Sequence, residues 1–248
     1  MSEPFNSPNP VRGGRPIYGA TLGILMLDAR FPRIPGDMGH AATFAFPVQY
    51  RLVEGASPQK VVREGAPDLL QPFIDAARDL VRHGCEGITT NCGFLSLFQA
   101  PLSAAIGRPV AASSLMQAPL VERLLPPGQR VGILTISGST LTPEHLSAAG
   151  VAADTPIGST EGGQEFTRAI LGDELDLNVS AALEDNVSAA VALCEAHPEI
   201  GALVLECTNM TPYAPAIRRA IQRPVFTMVD FVNWFHASLA TWPAREAP

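Results

Sequence analysis

Apolar, β-branched runs alternate with longer stretches of helical spacing along most of the chain. Short apolar runs bounded by turn residues predict strands at Ile17–Leu27, Phe46–Val53, Gly87–Thr90, Pro109–Ala112, Arg130–Ile136, Ala202–Leu205 and Pro224–Met228. Apolar residues recurring every three or four positions predict helices at Pro67–Arg82, Leu95–Ile106, Met116–Leu125, Pro143–Ala149, Ala181–Ala196, Pro212–Ile221 and Val229–Ala240. Strands alternating with helices make parallel sheets joined by crossover helices, so the expected class is α/β.

The pattern occurs twice. Set without a gap, "GITTNCGFLSLFQAPLSAAIGRPV" (87–110) lies over "ALVLECTNMTPYAPAIRRAIQRPV" (202–225), with Cys92 on Cys207 and Arg108-Pro109-Val110 on Arg223-Pro224-Val225. Upstream, "LGILML" (22–27) matches "VGILTI" (131–136). Two halves of this kind are expected to pack as lobes about a pseudo-twofold axis, with a ligand cleft at the carboxyl ends of the strands. The expected division is an N-terminal arm over 1–16, a first lobe from 17–114 together with 224–248, and a second lobe over 115–223.

Composition narrows the function. The 248 residues are 46% hydrophobic and 17% charged, with a net charge of −7 and no basic run, which points away from nucleic acid and anionic membranes and toward a small-molecule partner. The Pro- and Gly-rich start has no apolar centre, and no run approaches the ~18 apolar residues of a membrane span, so a cytoplasmic location is expected. The four cysteines and five histidines show no metal-ligand spacing. No metal or other cofactor is expected.

Packing accounts for Cys85 and Cys194, but no packing rule places a cysteine at the same point of both halves. Cys92 and Cys207 each follow an apolar strand and open a helix, where free N–H groups and the helix dipole are expected to draw a thiol pKa from ~8.5 toward neutrality. Two such thiols facing a bound carboxylate could remove a proton from one side of a carbon and return it from the other. Gly93 leaves room for close approach, Thr208 and Asn209 offer polar contacts, and Asp28, Arg30 and Arg33 leave the carboxyl end of the first strand. Thr135, Ser137, Ser139 and Thr140 leave the matching strand of the second half as hydroxyls able to bind an oxyanion. "GSTEGGQEF" (158–166) reads as a flexible turn.

"TTNCGF" (89–94) and "LECTNMTPY" (205–213) resemble the two cysteine motifs of the aspartate/glutamate racemase superfamily, and "LGILMLDARFPRIPGD" (22–37) resembles an uncharacterised branch of it. The resemblance, covering nearly the whole chain from Ile17, implies two flavodoxin-like lobes, each a parallel four-stranded sheet flanked by helices, with the active site between them. It implies cofactor-independent chemistry on small carboxylates, as in amino acid and hydantoin racemases, maleate isomerases and arylmalonate decarboxylases. Carried over by motif, Cys92 and Cys207 are the acid/base pair, and Gly93, Phe94, Thr208 and Asn209 line the carboxylate pocket; Asp28, Asn91 and Thr135 complete the expected substrate-binding set. The presence of both cysteines points away from the decarboxylase type. Gly93-Phe94 and Thr208-Asn209 stand where glutamate racemases have Asn-Thr and Thr-His, which points away from glutamate.

The expected function is thus a racemase or epimerase of a small carboxylate, working by two-base proton transfer. Alternatives are cis–trans isomerisation through a covalent cysteine adduct, a two-lobed carboxylate-binding protein without catalysis, and a redox-sensing thiol pair. A homodimer or higher homo-oligomer is expected.

Overall fold

The computed structural model describes residues 13–239. Residues 1–12 of the expected arm, and 240–248 at the other end, lie outside the described residues.

The first lobe is built from β1 (Leu22–Leu27), β2 (Val48–Val53), α1 (Leu70–Arg82), β3 (Gly87–Thr90), α2 (Gln99–Ile106) and β4 (Val110–Ala111). After α3 (Ala118–Leu124), the second lobe follows as β5 (Arg130–Thr135), α4 (Pro143–Ala148), β6 (Ile157–Ser159), α5 (Phe166–Leu171), α6 (Val179–Ala196), β7 (Ile200–Leu205), α7 (Ala214–Ile221) and β8 (Val225–Phe226). Helix α8 (Met228–Leu239) ends the described chain. Both sheets are parallel and four-stranded, ordered β2-β1-β3-β4 and β6-β5-β7-β8. This is the expected α/β architecture.

Registers repeat as well as strand order. Gly23 pairs with Ile88 and Ile88 with Val110; in the second sheet Gly132 pairs with Leu203 and Leu203 with Val225, the same positions in the gapless alignment. A Cβ on Gly23 would collide with Leu80 and Ile88, and one on Gly132 with Ile200 and Leu203, so each glycine lets apolar side chains close over the central strand. β1 is buried at every position, which is why its sequence is continuously apolar rather than alternating.

Several boundaries differ from expectation for local reasons. Strand β1 starts at Leu22 and not Ile17, because Gly19 turns the chain at φ +84° and Ile17 and Tyr18 face solvent. Helix α1 starts at Leu70, since Ala66 and Asp68 adopt left-handed φ values of 53° and 58° that no helix continues. The stretch 158–166, expected as a flexible turn, holds the end of edge strand β6 and the start of α5. Strand β8 pairs in the second sheet, so the return to the first lobe follows Phe226 rather than preceding Pro224. From there α8 sets Met228, Val232 and Leu239 against Leu22, Ile24 and Met26 of β1. Among the described residues no helix is long and apolar enough to cross a membrane.

Candidate active site

The central strands β3 and β7 point their carboxyl ends at the junction of the lobes, and each runs through a cysteine into a six-residue 3₁₀ turn, Gly93–Phe98 or Thr208–Tyr213. Cys92 and Cys207 are the residues that precede those turns. The N–H groups of Phe94 and Leu95 act on the Cys92 sulfur, and that of Asn209 on the Cys207 sulfur, each favouring thiolate. Both cysteines line one small pocket, together with Asn91, Gly93, Phe94 and Asn209. Leu27, Phe31, Pro58, Val62, Ile170 and Leu171 close it with apolar surface.

The thiols are not activated as expected. Burial pushes both pKa values well above the ordinary thiol range, and the neighbouring Glu206 carboxylate pushes them further, outweighing the N–H groups of the turns. Proximity to a helix start would lower a thiol pKa at a wet surface; here Cys92 and Cys207 are buried at 8% and 7% exposure. The Cys207 sulfur also lies 3.6 Å from Asn209 Oδ1, as a thiol donor would.

Glu206, which motif reasoning passed over, is fully buried on the pocket wall. One carboxylate oxygen, Oε2, accepts the Thr135 hydroxyl at 2.7 Å and the Ile136 N–H acts on the carboxylate electrostatically, while Oε1 has no hydrogen-bond partner. Burial raises its pKa to about 7 against those interactions. A Cβ on Gly93 would strike Glu206 Oε1 and its carbonyl oxygen, so the room expected there for a ligand is filled by Glu206. The aligned residue in the first half is Asn91, whose Oδ1 accepts the Leu27 N–H at 2.8 Å. Leu27 and Ile136 are themselves aligned, so the two side chains face equivalent N–H groups.

The loop after β1 supplies a second unforeseen group. Buried Asp37 accepts Arg33 Nη1 at 2.8 Å, the Gly39 N–H at 2.7 Å and Asn209 Nδ2 at 2.5 Å, tying this loop to the second cysteine turn. Arg33 stacks over Phe31 at 4.6 Å, acts electrostatically on Cys92, and keeps Nη2 buried without a partner. Another lobe-to-lobe tie is Asp173, which accepts the Arg30 and Phe31 N–H groups at 2.6 and 3.2 Å.

Other expected residues sit elsewhere. Asp28 is exposed and accepts the Gly55 N–H at 3.1 Å, fixing a turn rather than lining the pocket. Thr135 is spent on Glu206, and the Thr208 hydroxyl donates to the Asn91 carbonyl at 2.6 Å across the lobes. Ser137 and Ser139 do hold an oxyanion, but it is Glu161 of the same chain, at 2.7 and 2.5 Å. Thr140 donates to Ser137. Cys85 and Cys194 are core residues. No group of three or more His, Cys, Asp or Glu among the described residues could hold a metal ion.

Known proteins of similar sequence are lyases. The chain is 30% identical to dimethylsulfoniopropionate lyase of Durusdinium sp. clade D, over 88% of this chain and 75% of that one. It is 31% identical to dimethylsulfoniopropionate lyase 7 of Emiliania huxleyi, over 90% and 68%, and 32% identical to lyase 3 of that organism, of which it spans 61% of the length. No family model matches the sequence. Among solved structures, arylmalonate decarboxylase aligns with a TM-score of 0.55 at 19% identity, covering 92% of this chain and 95% of that one. An aspartate racemase homologue from Pyrococcus horikoshii gives 0.52 at 17% identity, over 90% and 99%. A glutamate racemase isoform from Bacillus anthracis gives 0.58 at 13% identity, over 89% and 81%. The fold is that of the aspartate/glutamate racemase superfamily, as the motifs implied. The expected racemase, epimerase or isomerase activity is overturned, since the relatives of similar sequence are named lyases.

Proposed function

The chain belongs to the dimethylsulfoniopropionate lyase family, and from that premise we propose that it is itself a lyase, cleaving a β-sulfonium propionate by elimination with Cys92 as base. The observation that carries the reading is the pair Cys92 and Cys207 in one apolar pocket. In a β-sulfonium propionate the carbon beside the carboxylate bears the proton to be removed. When a base takes it, the C–H electrons form the C=C bond and the C–S bond breaks with its electrons on sulfur. The products are dimethyl sulfide and acrylate, and the proton passes from the base to solvent.

The two thiols divide the work by their partners. Burial holds both thiols protonated in the free protein, and a bound sulfonium cation is what favours thiolate; Cys92, beside Arg33, then gives its proton to solvent, whereas Cys207 points toward Asn209 Oδ1 and keeps its own. Arg33 Nη2, buried and unpartnered, is assigned to the substrate carboxylate. The apolar walls favour a step in which a sulfonium cation becomes a neutral sulfide. A racemase would begin with the same proton removal; a leaving group on the next carbon is what diverts the electrons to elimination.

Headspace gas chromatography of the purified chain with dimethylsulfoniopropionate tests the proposal. Dimethyl sulfide is expected, with Cys92→Ser reducing its release at least ~100-fold, the usual contribution of a general base, and Cys207→Ser reducing it less. No release by the native chain, or full release by Cys92→Ser, overturns it.

A further inference from the structure

A buried carboxylate with one oxygen unpartnered is costly, so its retention asks for a reason. Structure alone does not supply one for Glu206. In the first half the aligned position is filled by the neutral amide of Asn91, which accepts the N–H of Leu27, the residue aligned with Ile136. An amide therefore suffices for that position, and the charge is surplus to the fold. Nor does the chain neutralise it: no basic side chain among the described residues pairs with Glu206, and its environment consists of the Thr135 hydroxyl, the Ile136 N–H and burial. Oε1 stays unpartnered against Gly93, on the pocket wall that both cysteines share.

We infer that Glu206 is the counter-ion of the substrate's onium group, a specificity residue that selects a cationic β-substituent over a neutral one of the same shape. The assignment rests on the lyase reading and deepens it. A cation entering the pocket supplies the charge partner that the chain withholds, and attraction between unlike charges is strong where water is excluded. The titratable groups facing Glu206 are the Cys92 and Cys207 thiols, with the Arg33–Asp37 pair of the loop after β1 acting on those thiols. Both thiols stay neutral near neutral pH, their pKa values being raised, so the pH dependence of cation binding there belongs to Glu206.

Titration calorimetry with two carboxylates of one shape tests this: 3-(trimethylammonio)propanoate, whose tail is a cation, and 4,4-dimethylpentanoate, whose tail is neutral. At pH 8 the native chain is expected to prefer the cation by at least about tenfold, and Glu206→Gln, which keeps an amide acceptor for Ile136, to bind both about equally. With Glu206 titrating near pH 7 in the free protein, the native preference is expected to fall by about tenfold between pH 8 and pH 6, a measurement that needs no variant. A preference that survives in Glu206→Gln, or that does not change with pH in the native chain, overturns the counter-ion while leaving the lyase reading intact. Failure of the native chain to bind either ligand removes the reading on which the inference stands.

Discussion

Gly93 and Glu206 share one volume, and the interlock has a measurable consequence. In Gly93→Ala the new methyl must displace a buried carboxylate and a backbone carbonyl, neither of which is the free end of a flexible chain. Urea unfolding is expected to show a loss of about 1–3 kcal/mol, the usual range for overpacking, with the proposed lyase activity lost as Cys92 and Glu206 are pushed apart. The cysteines were legible because they recur in register. Asn91, Gly93, Phe94 and Asn209 came with them as immediate neighbours and do reach the pocket. Asp28, Thr135 and Thr208 do not line it, because a place at a strand's end leaves open which way the side chain turns. Glu206 was missed although "LVLEC" carries a signal, a lone charge closing an otherwise apolar strand. The sign of the thiol pKa shifts was illegible too, since it depends on how fully Cys92 and Cys207 are covered.

At the scale of elements, the duplication extends to helix ends. Helices α2 and α7 both finish on a left-handed residue, Gly107 at φ 60° in the first half and the aligned Gln222 at φ 53° in the second. Glycine adopts that conformation freely and glutamine does not. Gln222→Gly is expected to raise stability by about 0.5–1 kcal/mol, even with the loss of the Gln222 bond to the Arg219 carbonyl, and thermal unfolding would show a rise of about 1–4 °C. A fall in Tm would show that the side-chain bond outweighs the backbone strain. Long periodic elements such as α1 and α6 were readable from sequence. Strand β6 and helix α5, with three and six residues, span too few positions to show a period, and only pairing with β5 and burial of Phe166 and Ile170 reveal them.

For the molecule as a whole, both lobes contribute to one continuous apolar cluster, and a few polar ties cross between them around the pocket. Asp173, itself left-handed at φ 53°, joins the second lobe to Arg30 and to Phe31, a residue of the pocket wall. Asp173→Ala removes these acceptors, and amide exchange across residues 28–34 is expected to accelerate about tenfold, in line with the loss of one charged hydrogen bond. Unchanged exchange would show that the lobes are held without it. The α/β class and the twofold plan were visible in the duplicated motifs; the ties were not, because Asp37 to Asn209 and Asp173 to Phe31 join positions far apart in sequence whose meeting only the folded chain sets. The close fit of Gly93 to Glu206 also bears on symmetry. Thr208 occupies the place of Gly93 in the other half, so a dimer of two second halves would drive a threonine side chain into the space of each opposing carboxylate. With glycine in one half and glutamate in the other, the two halves of this chain fit each other and neither fits a copy of itself.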